Sequence, residues 1–124
     1  MKTAIIIYSD PLSGSNEALT RMLNALAVAD ECRREGDELA IGFMGTGTRW
    51  PAELAKLSHP ANGLFNELRE FVVGASRACA KRNEATEGLK EIGVDLIDDN
   101  KVEGTIGILS IRRYLAEGWN VLQF

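Results

Sequence analysis

The stretch Phe71-Val72-Val73-Gly74-Ala75-Ser76-Arg77-Ala78-Cys79-Ala80-Lys81-Arg82 places a thiol where an apolar run gives way to a cationic one. The thiolate is the form of cysteine that attacks and carries sulfur, and neighbouring positive charge stabilises it. Arg77, Lys81 and Arg82, with the start of a following helix, are therefore expected to favour a thiolate at Cys79, as a nucleophile or sulfur carrier requires. The same context also suits a small apolar cysteine tucked beneath that helix, because free cysteines are commonly buried. Residue types alone leave both readings open. Cys32 lies beside Glu31 and two residues after Asp30, late in a helix, where charge disfavours a thiolate; it is read as structural.

Two further loops carry residues of chemical interest. Ser9 to Ser15 offers Asp10, Ser13 and backbone amides ahead of a helix, an arrangement that can hold an anion. A helix entrance capped by its own side chains explains the same residues and is the favoured reading. Gly45-Thr46-Gly47-Thr48-Arg49-Trp50, with Gly45 and Gly47 freeing the backbone, could cradle a small anion or pack against a subunit. It lacks the second half of a dinucleotide fingerprint and the lysine of a phosphate-binding loop. His59 precedes a proline with no carboxylate fixed near it and reads as a surface histidine rather than a general base. There is no Gly-x-Ser-x-Gly elbow, and Asp95, Asp98 and Asp99 lack calcium-loop spacing. With two distant cysteines and one histidine, neither a metal nor any other cofactor is expected.

The elements that must position these residues alternate. Thr3 to Tyr8 is a β-branched run apolar on both faces, the pattern of a central strand. Ser15 can cap a helix over Asn16 to Glu35, with Leu19, Met22, Leu23 and Leu26 on one face and Gly36 closing it. A strand follows at Glu38 to Met44, then short helical pieces from Pro51 and over Gly63 to Arg69. Glu70 to Gly74 reads as a strand leading to Cys79, and Glu84 to Ile92 as a helix ending at Gly93. Val94 to Ile97 is a short strand or extended segment. A last helix is expected over Thr105 to Glu117, with Ile108, Ile111 and Leu115 sharing a face, before a closing strand at Trp119 to Phe124. This order implies one α/β domain over residues 1–124, a three-layer α/β/α sandwich with a mostly parallel sheet of about five strands.

Composition narrows the function classes. A chain of 124 residues with 45% apolar and 26% charged residues suits one ordinary globular domain. A net charge of −4 argues against general nucleic-acid binding. Its apolar runs fall far short of the roughly 20 residues a membrane span needs. The start of the chain lacks the apolar core of a signal peptide, so a cytoplasmic protein with no membrane partner is expected.

The opening Ala4-Ile5-Ile6-Ile7, the long first helix, the passage Val72 to Cys79 and the ending Trp119-Asn120-Val121-Leu122-Gln123-Phe124 together resemble the DsrE/DsrF family of small sulfur-relay proteins. The resemblance runs over nearly the whole chain and implies a compact α/β domain that forms homo-oligomers, trimers or hexamers. It also implies that the cysteine after the third strand, here Cys79, accepts sulfane sulfur as a persulfide from a donor protein and passes it to an acceptor. Several relatives carry a further cysteine or glycine just ahead of the reactive one, where this chain has Gly74-Ala75-Ser76. The alternative is an oligomeric DsrE-like protein that binds a small ligand or anion, or serves only as a structural subunit, without catalysis.

Overall fold

A computed structural model describes Met1–Phe124 and shows a five-stranded sheet, every pair parallel, in the order β4-β3-β2-β1-β5. The strands are β1 (Lys2–Ile7), β2 (Glu38–Phe43), β3 (Val72–Ser76), β4 (Leu96–Ile97) and β5 (Asn120–Gln123). Six helices connect or follow them: α1 (Asn16–Arg34), α2 (Trp50–Leu54), α3 (Asn62–Leu68), α4 (Arg77–Arg82), α5 (Thr86–Glu91) and α6 (Ile111–Ala116). The chain steps from β1 outward to β4, then returns to the far side of β1 for β5. Right-handed crossovers in opposite directions put their helices on opposite faces of a sheet.

The two faces differ in depth. Ile5, Ile7, Leu39, Ile41, Phe43 and Ala75 point into a cluster of 20 buried residues that takes side chains from α1 to α5. Ala4, Ile6, Ala40 and Met44 point the other way, into a cluster of 6 completed by Leu109 and by Tyr114 of α6. Strict alternation along β1 and β2 thus feeds both layers, which is why Ala4 to Ile7 and Leu39 to Ile41 are apolar at every position. The three-layer α/β/α domain expected from the sequence is the one formed.

α1 begins as its sequence dictates. Ser15 Oγ accepts from the Ala18 N–H at 3.1 Å, Glu17 lies in the first turn and Arg33 and Arg34 in the last. Its buried side is narrower than expected: Met22, Ala25, Leu26 and Ala29 are fully buried, whereas Leu19 and Leu23 remain 37% and 39% exposed. The alanines line the contact with the sheet and the two leucines flank it.

The sequence expectation fails most clearly at Thr105 to Glu117, where only Ile111–Ala116 is helical. Gly107 sits at φ +95° with its Cα against Asp98, where an added Cβ would lie 2.7 Å from the Asp98 carbonyl oxygen. Ile108 instead makes an antiparallel bridge to Asn100, and Ser110 is the cap, its Oγ accepting from Arg113 N–H at 3.2 Å. Tyr114 is buried and Leu115 is 57% exposed, so the Ile108–Ile111–Leu115 spacing did not mark the buried side. β3 also runs two residues later than expected, to Ser76, and α4 starts at once, so Cys79 is helical rather than in a loop.

Candidate functional site

Cys79 is the third residue of α4 and is half-buried, above the carboxyl-terminal edge of the sheet. The start of α4 is fixed by its neighbours: Ala78 N–H donates to the Gly107 carbonyl at 2.9 Å, and buried Ser76 Oγ accepts from Leu109 N–H at 3.1 Å. The far end is held by Asn83, whose side-chain and backbone N–H groups both donate to the Cys79 carbonyl, at 2.8 and 3.0 Å. Arg49 Nε donates in turn to the Asn83 carbonyl at 3.2 Å, and Arg49 Nη1 pairs with Asp10 Oδ1 at 3.0 Å. One chain of polar contacts therefore ties the cysteine helix to the loop after β1.

The cations that flank Cys79 on α4 are not equivalent. Arg77 is committed to Asp98, at 2.9 Å, and Lys101 holds the other carboxylate oxygen at 3.0 Å. Lys101, and then Arg77, keep the Asp98 carboxyl below its ordinary pKa. Lys81 and Arg82 are exposed, and neither pairs with a carboxylate. They are the cations on this helix left available to a negatively charged species.

Tyr8, just past the end of β1, is the neighbour that sequence reasoning missed. Its hydroxyl donates to Met44 Sδ at 3.5 Å. Burial pushes the phenol above its ordinary pKa, and the charge of a Cys79 thiolate pushes it further. The end of β1 was legible in the sequence. That a residue there meets one in α4 depends on strand order, which no local pattern carries.

The two glycine- and serine-bearing loops are occupied by their own chain. Asp10 Oδ1 takes Leu12 N–H at 2.9 Å as well as Arg49, and Ser13 Oγ takes Ser15 N–H at 3.2 Å. Gly45 opens a 3-10 turn over Gly45–Arg49 in which Thr48 Oγ1 donates back to the Gly45 carbonyl at 2.8 Å. Thr46 Oγ1 donates to Tyr8 O at 2.8 Å and Trp50 Nε1 to Ser9 Oγ at 3.1 Å. Gly47 lies directly against β1, where an added Cβ would be 2.0 Å from the Ile7 carbonyl oxygen. These loops brace the top of β1 and β2, and the entrance to α1 is capped as the sequence favoured. A polar depression of about 240 Å³ remains between them, bordered by Tyr8, Ser9, Ser13, Thr46, Glu17 and Arg21. Cys79 does not border it.

His59 caps its own turn, Nδ1 accepting from Ala61 N–H at 3.0 Å, and its ring stands edge-on to Trp50. Cys32 is buried late in α1, beside β1 and β5 at the opposite edge of the sheet. No three His, Cys, Asp or Glu side chains are grouped so as to hold a metal ion, and no helix is long and apolar enough to cross a membrane.

The chain is 27% identical over 125 aligned positions to the uncharacterized protein MJ0733 of Methanocaldococcus jannaschii, covering 99% of this chain and 95% of that protein. No protein-family model matches the chain, and no solved structure matches it.

Proposed function

We propose that the protein is an intracellular sulfur-relay component in which Cys79 accepts sulfane sulfur as a persulfide and hands it to a protein acceptor. The observation that carries this reading is the contrast between the two thiols. Cys79 is part-exposed at the carboxyl edge of a parallel sheet, where α/β proteins gather their ligands, with unpaired Lys81 and Arg82 on its helix. Cys32 is buried at the other edge. The resemblance to DsrE/DsrF proteins supports the same assignment. It also supports cytoplasmic work in a homo-oligomer.

The chemistry needs no external oxidant. The Cys79 thiolate attacks the outer sulfur of a donor persulfide, the donor S–S bond breaks, and its electron pair leaves with the donor thiolate. A new S–S bond now holds the transferred sulfur on Cys79, and an acceptor thiolate repeats the exchange in the forward direction. Lys81 and Arg82 would favour the anionic persulfide, and Arg77 would act only when released from Asp98.

Intact-protein mass spectrometry after incubation with a persulfide donor tests the proposal on wild type, Cys79→Ser and Cys32→Ser. A reductant-reversible gain of one sulfur atom that is lost only in Cys79→Ser is the expected result. No gain, or a gain that depends on Cys32, overturns it. The second reading is a small polar ligand in the depression at Tyr8, Ser13 and Thr46, beside the point between β1 and β5 where strand order reverses. Ligand-dependent thermal stabilisation that survives Cys79→Ser favours that reading.

A further inference from the structure

β5 is an edge strand that carries no charge, proline or bulge of the kind by which sheets refuse further pairing. Its fellow edge, β4, is two residues long and is followed by the Asp98 and Asp99 ion pairs. Short edges and charge are the usual protection against a second strand. From Gly118 to Phe124 there is no charged side chain and no proline, in a chain whose residues are 26% charged.

The hydrogen bonds of β5 fix which of its groups are free. Phe124 N–H donates to the Ile6 carbonyl at 2.9 Å and Phe124 O accepts from Tyr8 N–H at 2.7 Å. In a parallel pair such residues alternate, so Asn120, Leu122 and Phe124 address β1. The N–H and C=O of Val121 and Gln123 therefore point outward, with no strand beyond them. The side chains are arranged just as asymmetrically. Leu122 pairs in register with Ile5, on the face that α1 covers over β1. α1 reaches only the flank of β5 on that face, leaving Leu122 40% exposed beside a groove of about 480 Å³ bordered by Val28 and Cys32 of α1 and by Asn120.

We infer that a second copy of this chain pairs with β5, antiparallel and about a two-fold axis at Leu122, to join two sheets into one. Outward-facing groups must meet outward-facing groups. Val121 pairs with Gln123 of the other copy, each pair exchanging both hydrogen bonds, and Leu122 faces Leu122 as the close, non-hydrogen-bonded pair between them. Centring the axis on Val121 instead would bring Trp119 into the ladder, but its N–H is already spent on the Tyr114 carbonyl at 2.9 Å. The Leu122 register therefore uses every free group of the strand and buries its exposed leucine. This interface does not involve Cys79 and stands or falls independently of the sulfur chemistry.

The test uses the direction of the hydrogen bonds. Val121→Pro removes an N–H that points away from β1, so the monomer fold keeps its β1–β5 ladder while the proposed pairing loses a bond and meets a pyrrolidine ring. Sedimentation equilibrium is expected to show a concentration-dependent dimer for wild type and a monomer for Val121→Pro, with unchanged circular dichroism. The register is read separately in a Cys32→Ala/Cys79→Ser background. Cα atoms of a non-hydrogen-bonded pair lie about 4.5 Å apart, within disulfide reach. Leu122→Cys is therefore expected to form a covalent dimer on mild oxidation with diamide, and Val121→Cys, paired with Gln123, is not. A wild type that stays monomeric at hundreds of micromolar overturns the inference. So does a dimer indifferent to Val121→Pro, or one that Val121→Cys traps as readily as Leu122→Cys.

Discussion

Gly47→Ala isolates what the glycine-bearing turn contributes, and its cost can be worked out atom by atom. The new methyl would lie 2.0 Å from the Ile7 carbonyl oxygen, 2.7 Å from its carbon and 3.1 Å from Tyr8 Cα. Ordinary carbon–oxygen contacts are about 3.3 Å or longer, so the overlap exceeds about 1 Å against backbone that has no rotamer to change. Either the end of β1 or the Gly45–Arg49 turn must retreat. Overpacking of this kind costs about 1–3 kcal/mol. Retreat also stretches the Met44 N–H bond to Ile7 O, now 3.1 Å, and the Thr46 Oγ1 bond to Tyr8 O, now 2.8 Å. Each contributes about 0.5–1.5 kcal/mol, giving a loss of about 2–6 kcal/mol in all. Urea unfolding at neutral pH should show a lower midpoint with an unchanged slope. Gly63→Ala is the control, because nothing lies within 4 Å of its added Cβ and the site is helical. It should be neutral or stabilising by up to about 1 kcal/mol. A Gly47→Ala loss below about 1 kcal/mol would refute the argument that this glycine exists to let the turn touch β1.

Three further outcomes follow from the site. Iodoacetamide should label Cys79 in the native protein while Cys32 reacts only after unfolding, as read by peptide mass mapping. Removing the neighbouring thiol should bring the Tyr8 phenol back down towards its ordinary value, so tyrosinate absorbance should rise at lower pH in Cys79→Ser than in wild type. The burial part of the shift should persist. Because the folded pKa of Tyr8 is raised, its contribution to stability is whole below pH 10.0, the ordinary tyrosine value, and fades as pH climbs through the folded value. Asp98 has the opposite sign. Its lowered pKa gives a contribution present above pH 3.8 that is lost as pH falls through the folded value, so the acid-unfolding curves of wild type and Asp98→Asn should converge at low pH.

Local patterns carried the fold where they were one-dimensional. The unbroken Ala4 to Ile7 run could only be a strand buried on both faces, and Ser15 and Gly36 bracketed α1 by capping chemistry alone. Periodicity misled at Ile108, Ile111 and Leu115, because the contact of Gly107 with Asp98 and the bridge to Asn100 override helix spacing there. The site was legible only in its centre. Cys79 and its cations stand together in sequence, but the pairing of Arg77 with Asp98 spans 21 positions and that of Arg49 with Asp10 spans 39. Such pairs form only once the sheet has brought distant loops to one edge, and so no local reading finds them. The Asp10 loop satisfies its donors locally, as its capping residues foretold, whereas in the Gly47 turn Thr46 and Trp50 find acceptors at Tyr8 and Ser9, more than 35 positions away.

The position of β5 against β1 also sets an order of events during synthesis. β1 is made before both of its partners, and β2 can pair with it once residues 38–43 have emerged, yet its other edge waits for residues 120–123. Until those residues emerge, the Ile5-Ile6-Ile7 strand presents a bare row of backbone donors and acceptors along that edge. That is the kind of surface through which nascent chains mispair or recruit chaperones. Closing a loop of this length costs entropy that is recovered only when β5 docks, so this edge of β1 is covered only after residues made more than a hundred positions later have emerged.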